Sequence, residues 1–208
     1  GNPAGSREMQ ICLAHGYGLD RQERCKNTLA SVQALLDGQS VELYAEIPVD
    51  GVGVLNDLLG GVTVTLQDDF TSSDPTMTAG TTLTLTAQQA EILVRSRMSM
   101  AVGTNEARMS RQRIFMDAAV PMIRERISEN SGFASEMLDS LSPYLTTNMV
   151  RGRMINELNK AYHYDVQPVE YLTGEHTIGD DGFVEFHAAS QSAVDFVLSA
   201  FYTKRDAQ

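Results

Sequence analysis

The chain divides by the spacing of its apolar residues into stretches with a helical period and stretches that alternate. Thr86 followed by Gln89 reads as a capping box, and Ala90, Leu93 and Val94 then fall at i, i+3, i+4, one core-facing stripe. A helix is therefore predicted from Ala87, closing at Arg95 and Arg97. Met98–Gly103 reads as a loop. Thr104 or Asn105 can cap a second helix, which continues through Ile114–Ile127 with a kink or restart at Pro121. Upstream, Glu8–Ala14 reads as a short buried strand and Asp20–Glu23 as a capping-box-like start. The helix that follows runs to Leu36, with Cys25, Leu29, Val32 and Leu36 on its apolar stripe and Gly38 ending it. Val41–Pro48 and Val62–Leu66 alternate as strands around a short helix, Val49–Leu59, closed by Gly60-Gly61. Thr82–Leu85 is a strand fragment leading into the arginine region.

Downstream, Gly132–Leu145 and Met149–Tyr162 are amphipathic, with Asn148 as a cap for the second. Val166–Tyr171 and Gly182–His187 read as strands, and Ser190–Tyr202 as a terminal helix with Val194, Val197, Leu198 and Phe201 on one face. Strands alternating with helices predict an α/β fold, a mixed central sheet with helices on both faces. Residues 8–128 form the expected core, and 129–208 add helices, a strand pair and the terminal helix to the same domain.

Composition narrows the function. The 208 residues are 42% hydrophobic and 21% charged, enough for a real core. A net charge of −11 and a pI near 4.7 oppose nonspecific nucleic-acid binding and adhesion to anionic membrane by charge alone. No run approaches transmembrane length, and no secretory signal stands at the N-terminus; an extracytoplasmic protein of this sequence is expected to have had its anchor removed. Cys12 and Cys25, on the predicted first strand and the helix after it, are open to two readings, a disulfide or two buried thiols. Neither a CxxC pair nor clustered histidines suggest a metal. Asp68, Asp69 and Asp74 lack EF-hand spacing and read as a solvated loop. His15 reads as a hydrogen-bonded turn histidine.

Against this acidic background five arginines crowd one stretch: Arg95, Arg97, Arg108, Arg111 and Arg113, with only Glu106 between the first and the last. Arg95 and Arg97 share one side where the chain turns extended. Arg108, Arg111, Gln112 and Phe115 follow i, i+3, i+4, i+7 on the second helix, near its N-terminal backbone N–H groups. A guanidinium is planar, permanently charged and forks onto two oxygens, which suits phosphate. The spacing thus suggests a multi-arginine phosphate or pyrophosphate pocket. The competing reading is a solvated face paired with some of the 27 acids. Met109, Phe115, Met116 and Met122 read as ordinary core.

The same stretch carries a family resemblance. VRSR at Val94–Arg97, a loop, then Arg108-Met-Ser-Arg111-Gln112 resembles the "ALAYVRxR" helix and "D-F-x-R-x-x-RQ" of LytR-CpsA-Psr proteins. LNDLLGGVTVTL (Leu55–Leu66) is similar to "LVDALGGVxVxV". Thr78-Ala79-Gly80 is similar to the start of "LPAGxxxLxGEQAL", and LAHGYG (Leu13–Gly18) to "NAAYAYGG". The match runs in order from about Ile11 to Ile127.

The resemblance implies an extracytoplasmic protein at a bacterial membrane or wall. Such a protein moves a glycopolymer, such as wall teichoic acid or capsule, from a polyprenyl-pyrophosphate carrier to peptidoglycan, with magnesium assisting. It further implies that Arg95, Arg97, Arg108 and Gln112 line the pyrophosphate site, with Arg111 nearby, and that Arg95, Arg97 and Arg108 carry the catalytic electrostatics. Lys26 is a candidate phosphate contact beside its reading as a surface lysine; where the family often has a lysine one turn on, this chain has Ala30. An isoprenoid tail would need an apolar channel beside the phosphates, which some of the methionines could line. Two departures stand out. Asn105 replaces the usual acid three residues before the first arginine, and nothing matches the family's early strands, whose aspartates hold the metal. The expected magnesium therefore has no ligands in this chain. The alternative these departures support is a non-catalytic module that binds polyprenyl phosphate or an envelope polymer.

Overall fold

The structure, a computed structural model, describes residues 11–96, 105–161, 163–164, 171–179, 182 and 184–202. It comprises two compact units: Ala45–Leu145 with Met149–Asp165, and Gly1–Tyr44 with Thr146–Asn148 and Val166–Gln208.

The first unit holds the main core. It begins with a two-residue strand β1 (Ala45–Glu46) and helix α2 (Val49–Leu58), the latter following α1 (Arg21–Leu35) of the other unit. α2 stops at Gly60 and Gly61, with φ of 84° and 95°, a left-handed backbone that glycine adopts without a Cβ penalty. Strands β2 (Thr63–Thr65) and β3 (Thr82–Thr84) then pair antiparallel, Val64 opposite Leu83. Their alternation sends Val64 into the core and leaves Thr63, Thr65, Thr82 and Thr84 exposed. The threonines pair across the strands through their hydroxyls, at 2.7 Å each, as cross-strand neighbours do.

Asn56 on α2 lies under this ladder with no exposure. Its Oδ1 accepts from Val62 N at 2.9 Å and its Nδ2 donates to Leu85 O at 2.8 Å. Helix α3 (Ala87–Arg95) starts at the predicted capping box, with Thr86 and Gln89 bonded reciprocally. Helix α4 (Asn105–Glu129) is longer than its pattern suggested and runs unbroken through the exposed Pro121. Of the kink or restart predicted there, the restart does not occur. Buried Phe115 and Ala119 before the proline, and Ile127 after it, pack on the same core, and that packing outweighs the hydrogen bond the proline removes.

Helix α5 (Phe133–Leu141) buries Phe133, Ala134, Met137 and Leu141 against the same core, and α6 (Arg151–Ala161) adds Ile155 and Leu158 at its edge. The elements beyond residue 128 are therefore divided between the two units.

The second unit contains a 3-10 helix (Ile11–Tyr17), α1, a two-residue strand β4 (Thr146–Thr147), the hairpin β5 (Gly174–Ile178) with β6 (Val184–Ala188), helix α7 (Ser190–Val197) and a π-helical turn (Leu198–Tyr202). The early strand is corrected: Ile11 and Leu13 are exposed, so the apolar run is not one buried face and curls into a 3-10 turn. α1 starts at Asp20, whose side chain accepts from Glu23 N at 2.8 Å, while Glu23 reaches back to Leu19 N.

The strand expected over Val41–Pro48 survives only at Ala45–Glu46. Upstream of it, side chains replace the ladder. Asn148 Oδ1 accepts from Tyr44 N, Asn148 Nδ2 donates to Glu42 O, and the Thr147 hydroxyl donates to Tyr44 O. Asn148 is thus a backbone mimic and not the predicted helix cap. The expected strand at Val166–Tyr171 lies almost wholly outside the described residues; β6 pairs instead with β5. Of the larger mixed sheet, the ladders within the two units are both two-stranded and antiparallel. One face of β2–β3 is buried and the threonine face is exposed, so helices cover that ladder on one side. The mixture of helix and strand is the α/β class that the pattern predicted.

Candidate functional site

The junction of α3 and α4 gathers most of the predicted residues. α3 buries Ala90, Leu93 and Val94 and so turns its last residue, Arg95, outward to solvent. Ser96 follows as C-cap with φ −56° and ψ 130°, the extended turn expected there. Among the described residues Arg95 makes no ion pair. It sits at the negative end of the α3 dipole, which favours a cation.

α4 answers from the other side. Arg111, only 1% exposed, donates to Asp68 Oδ2 and to Ser96 O, each at 2.9 Å. Its Nε is buried with no hydrogen-bond partner among the described residues. The last carbonyls of a helix have no intrahelical partner; here Arg111 takes that of Ser96, and Gln112 Nε2 takes that of Val94 at 3.3 Å. Removing one partner of a buried ion pair costs about 3–5 kcal/mol, so Arg111 is a structural element of the junction.

The four residues predicted to share one face of α4 divide by depth: Arg111 and Phe115 lie in the core, Arg108 is half-buried and Gln112 is exposed. Arg113 forms an ordinary surface pair with Asp117 at 3.1 Å. Arg97, the Met98–Gly103 loop and Thr104 lie outside the described residues, as do the side chains of Asn105 and Glu106 and that of Cys12, so the cap and the disulfide reading fall there too. Cys25 is buried on α1. Lys26 is exposed on α1, in the other unit. His15 meets Thr28 Oγ1 at 3.3 Å, the turn histidine expected. Met109 and Met116, read as core, are exposed, at 51% and 47%. They sit seven residues apart on the α4 face turned away from Phe115, with Gln112 between them in sequence.

The loop acids all have local work. Besides Asp68 on Arg111, Asp69 accepts from the side chain and backbone of Thr71. Asp74 accepts from Thr76 and from Gln89 Nε2. The Thr71 hydroxyl, then its N–H, hold the Asp69 carboxyl below the usual range; the Thr76 hydroxyl and N–H, then Gln89, do the same for Asp74. Hydrogen bonds to a carboxylate favour its charged form. These residues do not fit a magnesium site: among the described residues no three His, Cys, Asp or Glu side chains converge. Asp68, expected with Asp69 and Asp74 in a solvated loop, is instead the partner of the buried Arg111. Its role and that of Ser96 are hidden in the sequence because no linear spacing joins residues 43 and 15 apart from Arg111, and only the predicted helix end at residue 95 hinted that its carbonyls would need donors.

Fold and site together define an α/β protein in which one helix end presents an arginine to solvent and a second helix, with an arginine buried, holds that end in place. The same fold occurs in gbs0355 from Streptococcus agalactiae, with a TM-score of 0.73 and 20% identity over 95% of this chain and 68% of that one. It occurs in TagU from B. subtilis, at 0.62 and 20% over 98% and 81%. TagT bound to LI-WTA is also similar, at 0.65 and 20% over 89% and 67%. At such identities the likeness establishes the fold. No curated protein matches by sequence. The chain belongs to the LytR_cpsA_psr family, whose model matches residues 10–196. That membership places it in the cell envelope and, in general terms, in cell-wall glycopolymer transfer. No helix among the described residues is long and apolar enough to cross a membrane.

Proposed function

We propose that this chain binds a polyprenyl-pyrophosphate-linked glycopolymer outside the bacterial membrane and transfers the polymer to a hydroxyl of peptidoglycan. The observation that carries this is Arg95. In a chain with 27 acids and 16 basic residues it stands exposed without an ion pair among the described residues, on a helix end braced by Arg111 and Gln112. Exposed Arg153 also makes no ion pair among the described residues, so what sets Arg95 apart is its place on a helix end that Arg111 and Gln112 hold from the facing helix.

Arg95 and Arg108, with Arg97, would bind the pyrophosphate oxygens and stabilise charge as the lipid phosphate leaves. Positioning and electrostatics are the main contributions a protein makes to phosphoryl transfer. The exposed Met109 and Met116 beside Gln112 suit the first isoprenes of the carrier. LI-WTA on the similar TagT supports a wall polymer as cargo. Magnesium is proposed as an ion accompanying the pyrophosphate; the described residues offer it no carboxylate set, and no step above runs through it.

Binding of a short polyprenyl pyrophosphate tests this, measured by calorimetry with and without magnesium on the parent chain and an Arg95→Ala/Arg97→Ala variant. Binding by the parent that falls at least tenfold in the variant is expected, since each charge-assisted hydrogen bond contributes about 1.5–3 kcal/mol. Equal binding by both would refute the assignment. Asn105, where the family's usual residue is an acid, favours as second reading a non-catalytic carrier-binding module. It predicts binding without polymer transfer even with magnesium, and transfer to peptidoglycan fragments would exclude it.

A further inference from the structure

We propose that Asp68 is a positioning residue for the anion site, acting through Arg111 on the helix end that bears Arg95. The inference rests on the pyrophosphate reading above and adds a residue to it that the arginine motifs do not contain.

Arg111 is a buried cation with two acceptors at 2.9 Å, one charged and one neutral. Asp68 is the charged one, and it stands on the loop directly after β2 and Leu66, a segment whose own core residues, Val64, Leu66 and Phe70, are at most 4% exposed. The guanidinium therefore links a rigid part of the core to the carbonyl immediately after Arg95. A cation held by a neutral carbonyl alone is poorly compensated in so dry a place. Without the Asp68 charge, Arg111 must rotate towards solvent, and Ser96 O loses its donor. The Arg95 side chain then loses its fixed origin, and a phosphate contact from it must bear the cost of ordering the turn.

The sign of the effect separates this from direct electrostatics. An acid near a bound pyrophosphate repels it, so removing the charge tightens binding if Asp68 acts only through space. Removing it weakens binding if Asp68 acts through Arg111 and Arg95.

The experiment compares the parent chain with Asp68→Asn, Asp68→Glu, Arg95→Ala and the Asp68→Asn/Arg95→Ala pair. It measures affinity for a short polyprenyl pyrophosphate and amide hydrogen exchange across residues 92–96. Asp68→Asn is expected to weaken binding about tenfold. It should also speed exchange over 92–96 with exchange in α5 unchanged, and Asp68→Glu should restore much of both. In the Arg95→Ala background the affinity effect should vanish, the non-additivity expected of residues acting as a unit. Tighter or unchanged binding in Asp68→Asn, or equal loss in both backgrounds, would overturn the proposal. If the parent fails to bind, the pyrophosphate reading falls and the functional role falls with it. Exchange then decides the brace alone, and unchanged exchange in Asp68→Asn refutes that as well.

Discussion

Asn56 offers the sharpest test of how the site is supported. It is fully buried, and its amide serves as both donor and acceptor: it accepts from Val62 N at 2.9 Å and donates to Leu85 O at 2.8 Å. Val62 opens the segment that ends at Asp68, and Leu85 leads into the capping box of α3. One side chain therefore ties α2 to both chains that carry the junction. Asn56→Ala leaves the buried Val62 N–H without its acceptor and Leu85 O without the donor that Asn56 supplies. At about 1–3 kcal/mol for each of the two orphaned groups, the loss should be about 2–6 kcal/mol. Such a loss is a large part of the about 5–15 kcal/mol that holds a domain folded. Urea unfolding followed by circular dichroism should show a lower midpoint at an unchanged m-value. Asn56→Asp keeps the acceptor but sets a carboxyl against Leu85 O, so it should be less stable at neutral pH than at acid pH, where a protonated carboxyl can donate. A loss below about 1 kcal/mol in Asn56→Ala, or an Asn56→Asp variant with the parent's pH dependence, would refute the reasoning.

Two further predictions concern the loop and the turn around this frame. The Asp69 and Asp74 carboxyls are held below their unfolded values by their threonine and glutamine donors. The stability they contribute is complete above about pH 4, the unfolded carboxylate range, and is lost as pH falls through the lower folded values. An Asp69→Asn/Asp74→Asn variant should therefore show a flatter fall in urea midpoint below that pH than the parent, and identical slopes would contradict the assignment. Gly61 has φ 95°, and a Cβ there would meet Thr84 Cγ2 at 2.5 Å; Gly61→Ala should cost about 1–3 kcal/mol, read as a lowered melting temperature, whereas Gly80→Ala, in open space at φ 81°, should lose less.

Local chemistry was legible wherever one contiguous stretch contained the whole interaction. Thr86 and Gln89 determined the start of α3, because a capping box closes within four residues. The Val64 alternation determined a one-faced strand, and Gly60-Gly61 the end of α2. The extended turn after Arg95 was legible for the same reason. The clustering of arginines in an acidic chain, and the motif resemblance built on it, pointed to the family.

What spacing could not decide was depth. Arg108, Arg111 and Gln112 lie within five residues on α4, yet one is half-buried, one is in the core and one is in water. The partners of Arg111 and Gln112, which are Asp68, Ser96 and Val94, come from other parts of the chain, and a helical period says nothing of which acid or carbonyl will stand opposite. Met109 and Met116 read as core by composition and are exposed because a different face of α4, the one with Phe115 and Ala119, packs on the hydrophobic cluster. Asn148 read as a helix cap and Asn56 carried no reading of its own; tertiary structure made both substitutes for backbone partners that the short strands lack. Most of the helices and the placing of charge along the chain thus follow from local sequence alone, whereas the strands at Glu8–Ala14 and Val41–Pro48 did not form as expected. Only the fold decided which arginine faces solvent and which is a buried strut, because burial and ion pairing depend on neighbours brought from 15 to 43 residues away.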